Sequence, residues 1–448
     1  MRRARAFLVV ALVALVALAG CTAGGGSSQE PKPQTATDQT PVTITFWHGF
    51  SAPREKRVFA KVIDQFHQSH PWITVKVVGN INDDKIVSSI HGGNPPDVAQ
   101  SFTTDNVGKF CSSGAWVDLN PYIKQDGTDV NAIPAAAQAY TQYKGNRCAL
   151  PQLADAYGLY YNTELLAKAG FKSPPKTLSE LTEMAKRLTQ RSSDGSIKVA
   201  GLVPYWGFYE NVPAHLAPAW GAQWFGPDGK SNLSRDPRWA QMLRWQKSLI
   251  DFYGYDKITR FVAGAGDEFS SSQVFETGKM AMALDGEWRV AFLADEHPEL
   301  KYATAPFPAA DDQSGQYGAG FISGNIIGIP KGAKHPAAAW QLVKYLAFDT
   351  SALVTLSNEL RNVPTTTAAL QSPQIKPDPN FKTFLDIFAA PKSAAVPVNP
   401  AGSVNQDLFQ TFAEKYQAGK VADLEAGLKA LDRQIDSQIA QDTGGGAP

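Results

Sequence analysis

Residues 42–78 read VTITFWHGFSAPREKRVFAKVIDQFHQSHPWITVKVV, and this stretch decides the fold class. Apolar and polar residues alternate over residues 42–47 and again over residues 73–77, which is typical of β-strands. Between these segments, one face at helical spacing collects Val58, Phe59, Val62, Ile63 and Phe66. A strand, a helix and a strand within about 35 residues form a βαβ unit, whose strands pair in parallel.

The rest of the chain continues this alternation of helices and strands. Helical patterns lie near residues 178–190, 237–252, 336–348 and 406–417, and a last one starts after about residue 421. Short strand patterns lie around residues 150–161, 280–284 and 325–329. The sequence shows no internal repeat. We therefore predict an α/β architecture.

Size and charge exclude some classes of protein. The 448 residues are enough for two or three domains, and 43% hydrophobic residues supply a core. Lys plus Arg and Asp plus Glu number 42 each, so the formal net charge is zero. A nucleic-acid binder would normally carry a basic excess. We expect a large globular protein that does not bind nucleic acid.

The N-terminus is typical of an exported protein. Basic residues at positions 2, 3 and 5 precede an apolar run over residues 7–19, which is too short for a stable membrane span. The sequence LAGC over residues 18–21 resembles a bacterial lipobox. This resemblance implies that residues 1–20 are a signal peptide and that Cys21 is lipidated. Ordinary secretion with a chance Cys is the alternative.

A polar, Gly/Ser-rich stretch follows Cys21, and it predicts a flexible tether over residues 21–41. With Cys21 taken by lipid, Cys111 and Cys148 are the remaining cysteines. An even pair in an exported protein is more often a disulfide than two free thiols. We predict the disulfide and leave two buried or partly exposed thiols as the alternative.

The sequence contains none of the common catalytic motifs: no HExxH, no P-loop, no GxSxG and no correctly spaced GxGxxG. The seven His are dispersed, and the close pair His67 and His70 lies at a polar helix end. Paired carboxylates of a glycoside hydrolase remain an alternative, because they pair in space and not in sequence. We expect a binding protein that is not an enzyme, with no cofactor and no metal.

Several segments occur in the order found in one family. They are TFWH (45–48), GNPPDV (93–98), DLNPYI (118–123), GLYYN (158–162), AKAGF (167–171), FETGKMAM (275–282), GEW (286–288) and GNIIGIP (324–330). In this order the segments resemble the bacterial extracellular solute-binding proteins, which include the maltodextrin- and glycerol-3-phosphate-binding proteins of ABC importers. The resemblance covers nearly all of residues 42–370.

The resemblance implies two α/β lobes joined by three crossings, with a ligand cleft between the lobes. The first lobe takes residues 42–153 plus 322–366, and the second takes residues 154–321 plus 367–448. It further implies a monomer, anchored by lipid at the outer face of the cytoplasmic membrane, that delivers a carbohydrate to an ABC permease. A mono- or disaccharide is expected. A glycerophosphodiester or amino sugar, a carbohydrate-acting enzyme and a sensory lipoprotein are the alternatives.

Sugars need carboxylates or amides for their hydroxyls and aromatic planes for their ring faces. The ligand-binding candidates are Trp47, His48, Phe102, Asp105, Asn106, Asp155, Trp206, Trp288, Gly324, Asn325 and Arg361. The resemblance implies polar contacts from Asp105 and Asp155 and ring stacking by Trp288. The structural alternatives are a helix cap for Asp105, local backbone hydrogen bonds for Asp155 and core packing for Trp288.

The other candidates come from their positions. Trp47 and His48 end the first strand, Trp206 lies in an aromatic segment over residues 204–210, and Phe102 and Asn106 flank Asp105. Gly324 and Asn325 would offer a backbone donor and an amide at the second crossing. Arg361 suits a carboxylate or a phosphate, with an interlobe salt bridge as the alternative. His48 is as compatible with a structural role as with a ligand contact.

Overall fold

The computed structural model describes residues 39–376 and 378–444. Its strands are β1 (Val42–Trp47), β2 (Ile73–Val78), β3 (Val98–Ser101), β4 (Leu150–Asn162), β5 (Gln190–Arg191), β6 (Ile197–Val199), β7 (Met282–Gly286), β8 (Tyr302–Ala305), β9 (Ile322–Gly328) and β10 (Val363–Pro364). The predicted signal peptide, the lipidated Cys21 and most of the predicted tether lie outside the described residues.

Helices connect these strands. They are α1 (Pro53–Ser69), α2 (Asp83–His91), α3 (Val107–Ser113), α4 (Asn120–Asp126), α5 (Ala135–Ala139), α6 (Thr163–Lys168), α7 (Leu178–Leu188), α8 (Pro213–Trp220), α9 (Pro237–Tyr253), α10 (Tyr255–Ala263), α11 (Arg289–Glu296), α12 (Pro336–Phe348), α13 (Thr350–Leu360), α14 (Thr367–Leu370), α15 (Pro379–Ala389), α16 (Val404–Gln417) and α17 (Leu424–Gly444). Short 3₁₀ helices cover Val130–Ala132 and Asp311–Gln316.

The first βαβ unit forms as the sequence predicts. Strands β1 and β2 pair in parallel, from Val42 opposite Ile73 to Trp47 opposite Val78. Helix α1 starts with a proline, and the Glu55 carboxylate accepts hydrogen bonds from two backbone N–H groups just before it. The predicted apolar face of α1 is buried. The α/β fold class is therefore confirmed.

Strand β4 belongs to two sets of strands at once. Up to Ala156 it pairs with β9, and Leu153 and Ala154 also pair with β10. From Tyr157 onward it pairs with β7 and β8 instead. Strands β9, β3, β1 and β2 continue the sheet beyond the first half of β4. The lobe ranges given above stay a prediction, and this change of partners is the structural feature that bears on them.

Two apolar clusters flank this strand. One packs around β1, α1 and α12 and contains Phe46, Phe59 and Trp340, and the other packs around α8 and α9 and contains Trp220 and Trp239. Burial of this kind contributes about 25 cal/mol per Å² of apolar surface. The first cluster includes apolar residues of the first half of β4 and Tyr160, and the second includes Tyr157 and Leu159.

Cys111 in α3 and Cys148 just before β4 form a disulfide, which confirms the predicted pairing; their Cα atoms are 5.3 Å apart. Both residues are buried. The bond ties α3 to the segment that leads into the central strand.

Within the described part of the chain, no helix is both long and apolar enough to cross a membrane.

Reducing the disulfide should lower the free energy of unfolding by about 3–4 kcal/mol, because the unfolded chain regains the freedom that the cross-link removes. Urea unfolding with and without dithiothreitol measures this change. The Cys111→Ser/Cys148→Ser variant is the control, and dithiothreitol should not affect it. An unfolding midpoint that does not respond to reduction in the natural chain would contradict the prediction.

Candidate functional site

Three chain segments meet where β4 changes partners. Asp155 lies in β4, Glu287 directly follows β7, and Asn362 directly precedes β10. The Asn362 side-chain amide nitrogen donates to Asp155 Oδ1 at 3.1 Å and to Glu287 Oε1 at 2.7 Å. The other Glu287 oxygen accepts from the backbone N–H of Ala156 at 2.8 Å. All of these side chains are buried. We call Asp155, Glu287 and Asn362 the crossing cluster.

Burial controls the electrostatics of the crossing cluster. It raises the pKa of Asp155 to about 7, although hydrogen bonds from Glu287 and Asn362 oppose the rise. Burial, and then the charge of Asp155, raise the pKa of Glu287 well above its ordinary value. Two buried carboxyls this close cannot both ionise at low cost. Near neutral pH the pair therefore retains a proton.

Aromatic side chains lie beside this cluster. The Tyr157 ring contacts His215 with centroids 4.2 Å apart, Phe321 at 5.2 Å and Trp288 at 5.4 Å. The His215 ring stacks on Phe321 at 4.5 Å. These rings come from β4, from α8, from the residue before β9 and from the turn after β7. They form an aromatic wall next to the crossing cluster.

Further carboxylates lie beside this wall. Glu210 Oε2 lies 3.2 Å from His215 Nδ1, and burial lowers the pKa of His215 to about 4, which keeps the ring neutral. Burial, and then the charge of Glu268, raise the pKa of Glu210 well above its ordinary value. Burial raises the pKa of Glu268 to about 7. The buried Arg289 hydrogen-bonds to Asp285 at 2.7 Å. The region is therefore acidic.

Two partly exposed aromatic planes each lie on a glycine. A Cβ atom at Gly286 would clash with the Trp288 ring, and a Cβ atom at Gly49 would clash with the Phe102 ring. Phe102 is 48% exposed, and its ring meets Phe50 edge-on at 4.8 Å. An exposed aromatic plane that rests on backbone is suited to stack on an apolar ligand face.

The loop that carries Phe102 reaches the crossing. Thr104 Oγ1 lies 3.3 Å from Ser323 Oγ, and Ser323 pairs with Asp155 in the sheet. Phe102 follows the C-terminal end of β3, the edge at which open α/β sheets bind ligands. The structure therefore brings the Phe102 loop close to the strand that carries Asp155.

Asp105 and Asn106 lie in a contact between α3 and the start of α16. The Asp105 carboxylate accepts hydrogen bonds from the side chains of Gln406 and Thr103, and burial raises its pKa. Asn106 donates to Asp83 Oδ2 at 2.7 Å. Asn106, not Asp105, occupies the position before α3. The helix-cap alternative for Asp105 is therefore not what the structure shows.

Four candidates contact the protein interior instead. His48 is 1% exposed and stacks on Phe59 at 4.8 Å, and burial lowers its pKa to about 4. The Trp206 side chain lies fully inside the second apolar cluster. Asn325 accepts from Gln100 at 2.9 Å, and a Cβ atom at Gly324 would clash with the backbone of β4. The geometry gives these four structural roles.

Trp47 and Arg361 have identifiable neighbours. Trp47 is partly buried at the end of β1, where it pairs with Ala99. Arg361 Nη2 lies 3.7 Å from Asp378 Oδ2, and its guanidinium lies 5.5 Å from the centroid of the Phe381 ring. This is the salt-bridge alternative of the sequence analysis.

Sequence reasoning missed several residues of this region. They are Tyr157, Glu210, His215, Glu287, Phe321 and Asn362. A signal existed for two of them: Tyr157 lies two residues after Asp155 in the same strand, and Glu287 directly precedes Trp288. The others come from segments whose local patterns do not indicate a site.

Relatives of this chain are solute-binding proteins. The maltotriose-binding protein of Pyrococcus abyssi is 23% identical over 395 residues, which cover 88% of this chain and 81% of that protein. A maltooligosaccharide ABC transporter solute-binding lipoprotein of Streptococcus pneumoniae R6 is 25% identical over 370 residues, which cover 81% and 80%.

Solved structures show the same fold. A protein with mannotriose bound superposes with a TM-score of 0.78 at 25% identity, over 89% of this chain and all of the other. The sugar-binding protein of Xanthomonas citri gives 0.73 at 20% identity, over 89% and 98%. The family model for bacterial extracellular solute-binding proteins matches residues 61–383. This match spans most of the chain, and the chain therefore belongs to the bacterial extracellular solute-binding proteins.

Proposed function

We propose that this protein is the extracytoplasmic sugar-binding component of an ABC importer. The ligand is a short neutral saccharide, held between the Phe102 loop on one side and the wall of Trp288 and Tyr157 on the other. The observation that carries the proposal is the convergence of aromatic planes and hydrogen-bonding carboxylates at the point where β4 changes partners. Sugars require this combination of groups.

The charge of the region supports a sugar over a phosphorylated ligand. Asp155, Glu210, Glu268 and Glu287 lie near one another, while Arg289 is already engaged by neighbouring carboxylates. An anionic ligand placed here would lack a counter-charge, because Arg289 already hydrogen-bonds to Asp285 and Glu276. Arg361, the candidate for a phosphate, is paired with Asp378. A glycerophosphodiester is therefore disfavoured, whereas an amino sugar is compatible with the acidic lining.

We infer the size of the sugar from the ligands named for relatives and from the two aromatic planes of the site. The sequence analysis expects a mono- or disaccharide, while the names of relatives mention maltotriose, mannotriose and mannobiose as their ligands. We propose a ligand of about one to three sugar units, consistent with a cleft that offers two separate aromatic planes. A calorimetric panel of glucose, mannose, glucosamine, maltose, mannobiose, maltotriose and mannotriose, with glycerol-3-phosphate as the anionic member, tests this range.

A hydrolytic role has less support. Asp155 and Glu287 are hydrogen-bonded to each other, which is closer than the ~5 Å that separates the carboxyls of a retaining glycosidase. The relatives of this chain are named as binding proteins. In the proposed role the two lobes close around the sugar and present it to the permease, as in hinged binding proteins generally.

Replacing either exposed ring should weaken sugar binding without unfolding the protein. Trp288→Ala and Phe102→Ala should each reduce affinity by about 5- to 30-fold, because each removes roughly 1–2 kcal/mol of apolar contact with the sugar face. Isothermal titration with the best sugar of the panel measures the loss. Phe252→Ala is the matched control, since Phe252 is also an exposed ring but belongs to the end of α9.

Circular dichroism should show all three variants folded. Near-natural affinity in both Trp288→Ala and Phe102→Ala would mean that the sugar binds elsewhere. Strong binding of glycerol-3-phosphate in place of every sugar would contradict the proposed ligand class.

The proposed lipid anchor has its own test. Cys21→Ala should move the protein from the membrane fraction to the soluble fraction, because the acyl chains of a lipoprotein supply ~0.8 kcal/mol of membrane affinity per buried methylene. Ser27→Ala, in the same predicted tether, is the control and should stay with the membrane. Equal partitioning of both variants into detergent would contradict the anchor.

A further inference from the structure

We propose that Asn362 is a positioning residue: its amide holds Asp155 and Glu287 as a pair that shares a proton, so that closure of the cleft around the ligand takes up a proton. The proposal rests on the sugar-binding function proposed above and adds its regulation by pH.

The geometry leaves the pair without a counter-charge. Asn362 uses its amide nitrogen for both acids, and the second Glu287 oxygen accepts from a backbone N–H. Among residues 39–376 and 378–444, no Lys, Arg or His side chain hydrogen-bonds to either carboxyl. Glu287 is fully buried and Asp155 is 8% exposed. Two such carboxyls in contact keep a proton between them.

The groups around Asp155 and Glu287 do not supply the missing positive charge. The titratable side chains that face the pair are Tyr140, which directly follows α5, Tyr157 and Tyr160 from β4, and Glu210 from the segment before α8. None of them carries a positive charge. The Tyr140 hydroxyl is buried and has no hydrogen-bond partner, and both acids act on its titration. Arg289, two residues after Glu287, hydrogen-bonds to Asp285 and Glu276, and Arg361, next to Asn362, pairs with Asp378.

The sign of the pH effect follows from burial. Burial raises the pKa of Asp155 to about 7 and raises the pKa of Glu287 well above its ordinary value. Water that enters an open or unfolded state returns both pKa values toward about 4. The closed, folded state therefore binds more protons than the open one between about pH 4 and pH 7. Closure and stability should both weaken as the pH rises through this window.

Glu287→Gln removes the carboxyl that shares the proton and keeps the size and shape of the side chain. In the natural chain, the affinity for maltotriose or mannotriose should fall by at least about fivefold between about pH 5.5 and pH 8. This fall is within the physical limit, because the uptake of one proton can change the affinity by at most about tenfold per pH unit. In Glu287→Gln the fall should shrink to about twofold or less. Glu359→Gln is the matched control, a partly buried Glu of α13 that lies away from the pair and pairs with Lys376, and its substitution should leave the natural profile unchanged.

Two further readouts keep the test independent of any one variant. Calorimetry near pH 7 in buffers of different ionisation enthalpy should show proton uptake on binding by the natural chain and none by Glu287→Gln. Asn362→Leu should shift the fall in affinity to higher pH, because the ionised pair loses its donor. If Asn362→Leu only destabilised the fold, the affinity would fall equally at every pH.

The outcomes separate this inference from the proposed function. If no sugar binds, the proposed function fails. Urea unfolding then tests the proton-sharing pair of Asp155 and Glu287 by itself: the loss of unfolding free energy from about pH 4 to pH 7 should be smaller in Glu287→Gln than in Glu359→Gln. If sugars bind but Glu287→Gln and the natural chain share one pH profile and take up equal protons, the proton-sharing pair is overturned while the proposed function stands.

Discussion

The rest of the structure depends on a single strand that has to serve two sheets. Strand β4 pairs with β9 and β10 along its first half and with β7 and β8 along its second, and nearly every residue in it is buried. A strand buried on both faces needs apolar residues or fully paired polar ones. Asp155 is the charged residue of this strand and lies at the point of exchange, where Asn362 and Glu287 supply its partners.

The position of this exchange determines where a site can form. The ends of β3 and β7 and the start of β9 all lie near the same part of β4. The Phe102 loop, Trp288 and Phe321 therefore lie near the crossing. The apolar clusters on each side fix the scaffold, and the exposed planes of Phe102 and Trp288 rest on glycine backbone. In the proposed function, sugar faces meet these planes and hydroxyls meet the carboxylates, while proton sharing limits the charge that is buried when the lobes close.

The sequence predicted most of the fold because its signals are local. Alternation and helical periodicity located β1, α1, β2, β4, α7, α9 and α12 to within a few residues. The site was less accessible to such reasoning. His48 and Trp206 turn into the core, since the end of a strand or an aromatic segment does not reveal which way a side chain points. Asn362 meets Asp155 across 207 positions and Glu287 across 75, which no local pattern encodes.

The most direct measurement is a crystal structure of the protein with its best-binding sugar. The account predicts sugar rings with heavy atoms within about 4.5 Å of both Phe102 and Trp288, the distance of direct contact. It also predicts a hydroxyl hydrogen-bonded to a carboxylate beside Tyr157. A sugar bound away from both rings, or outside the region where β4 changes partners, would contradict the account.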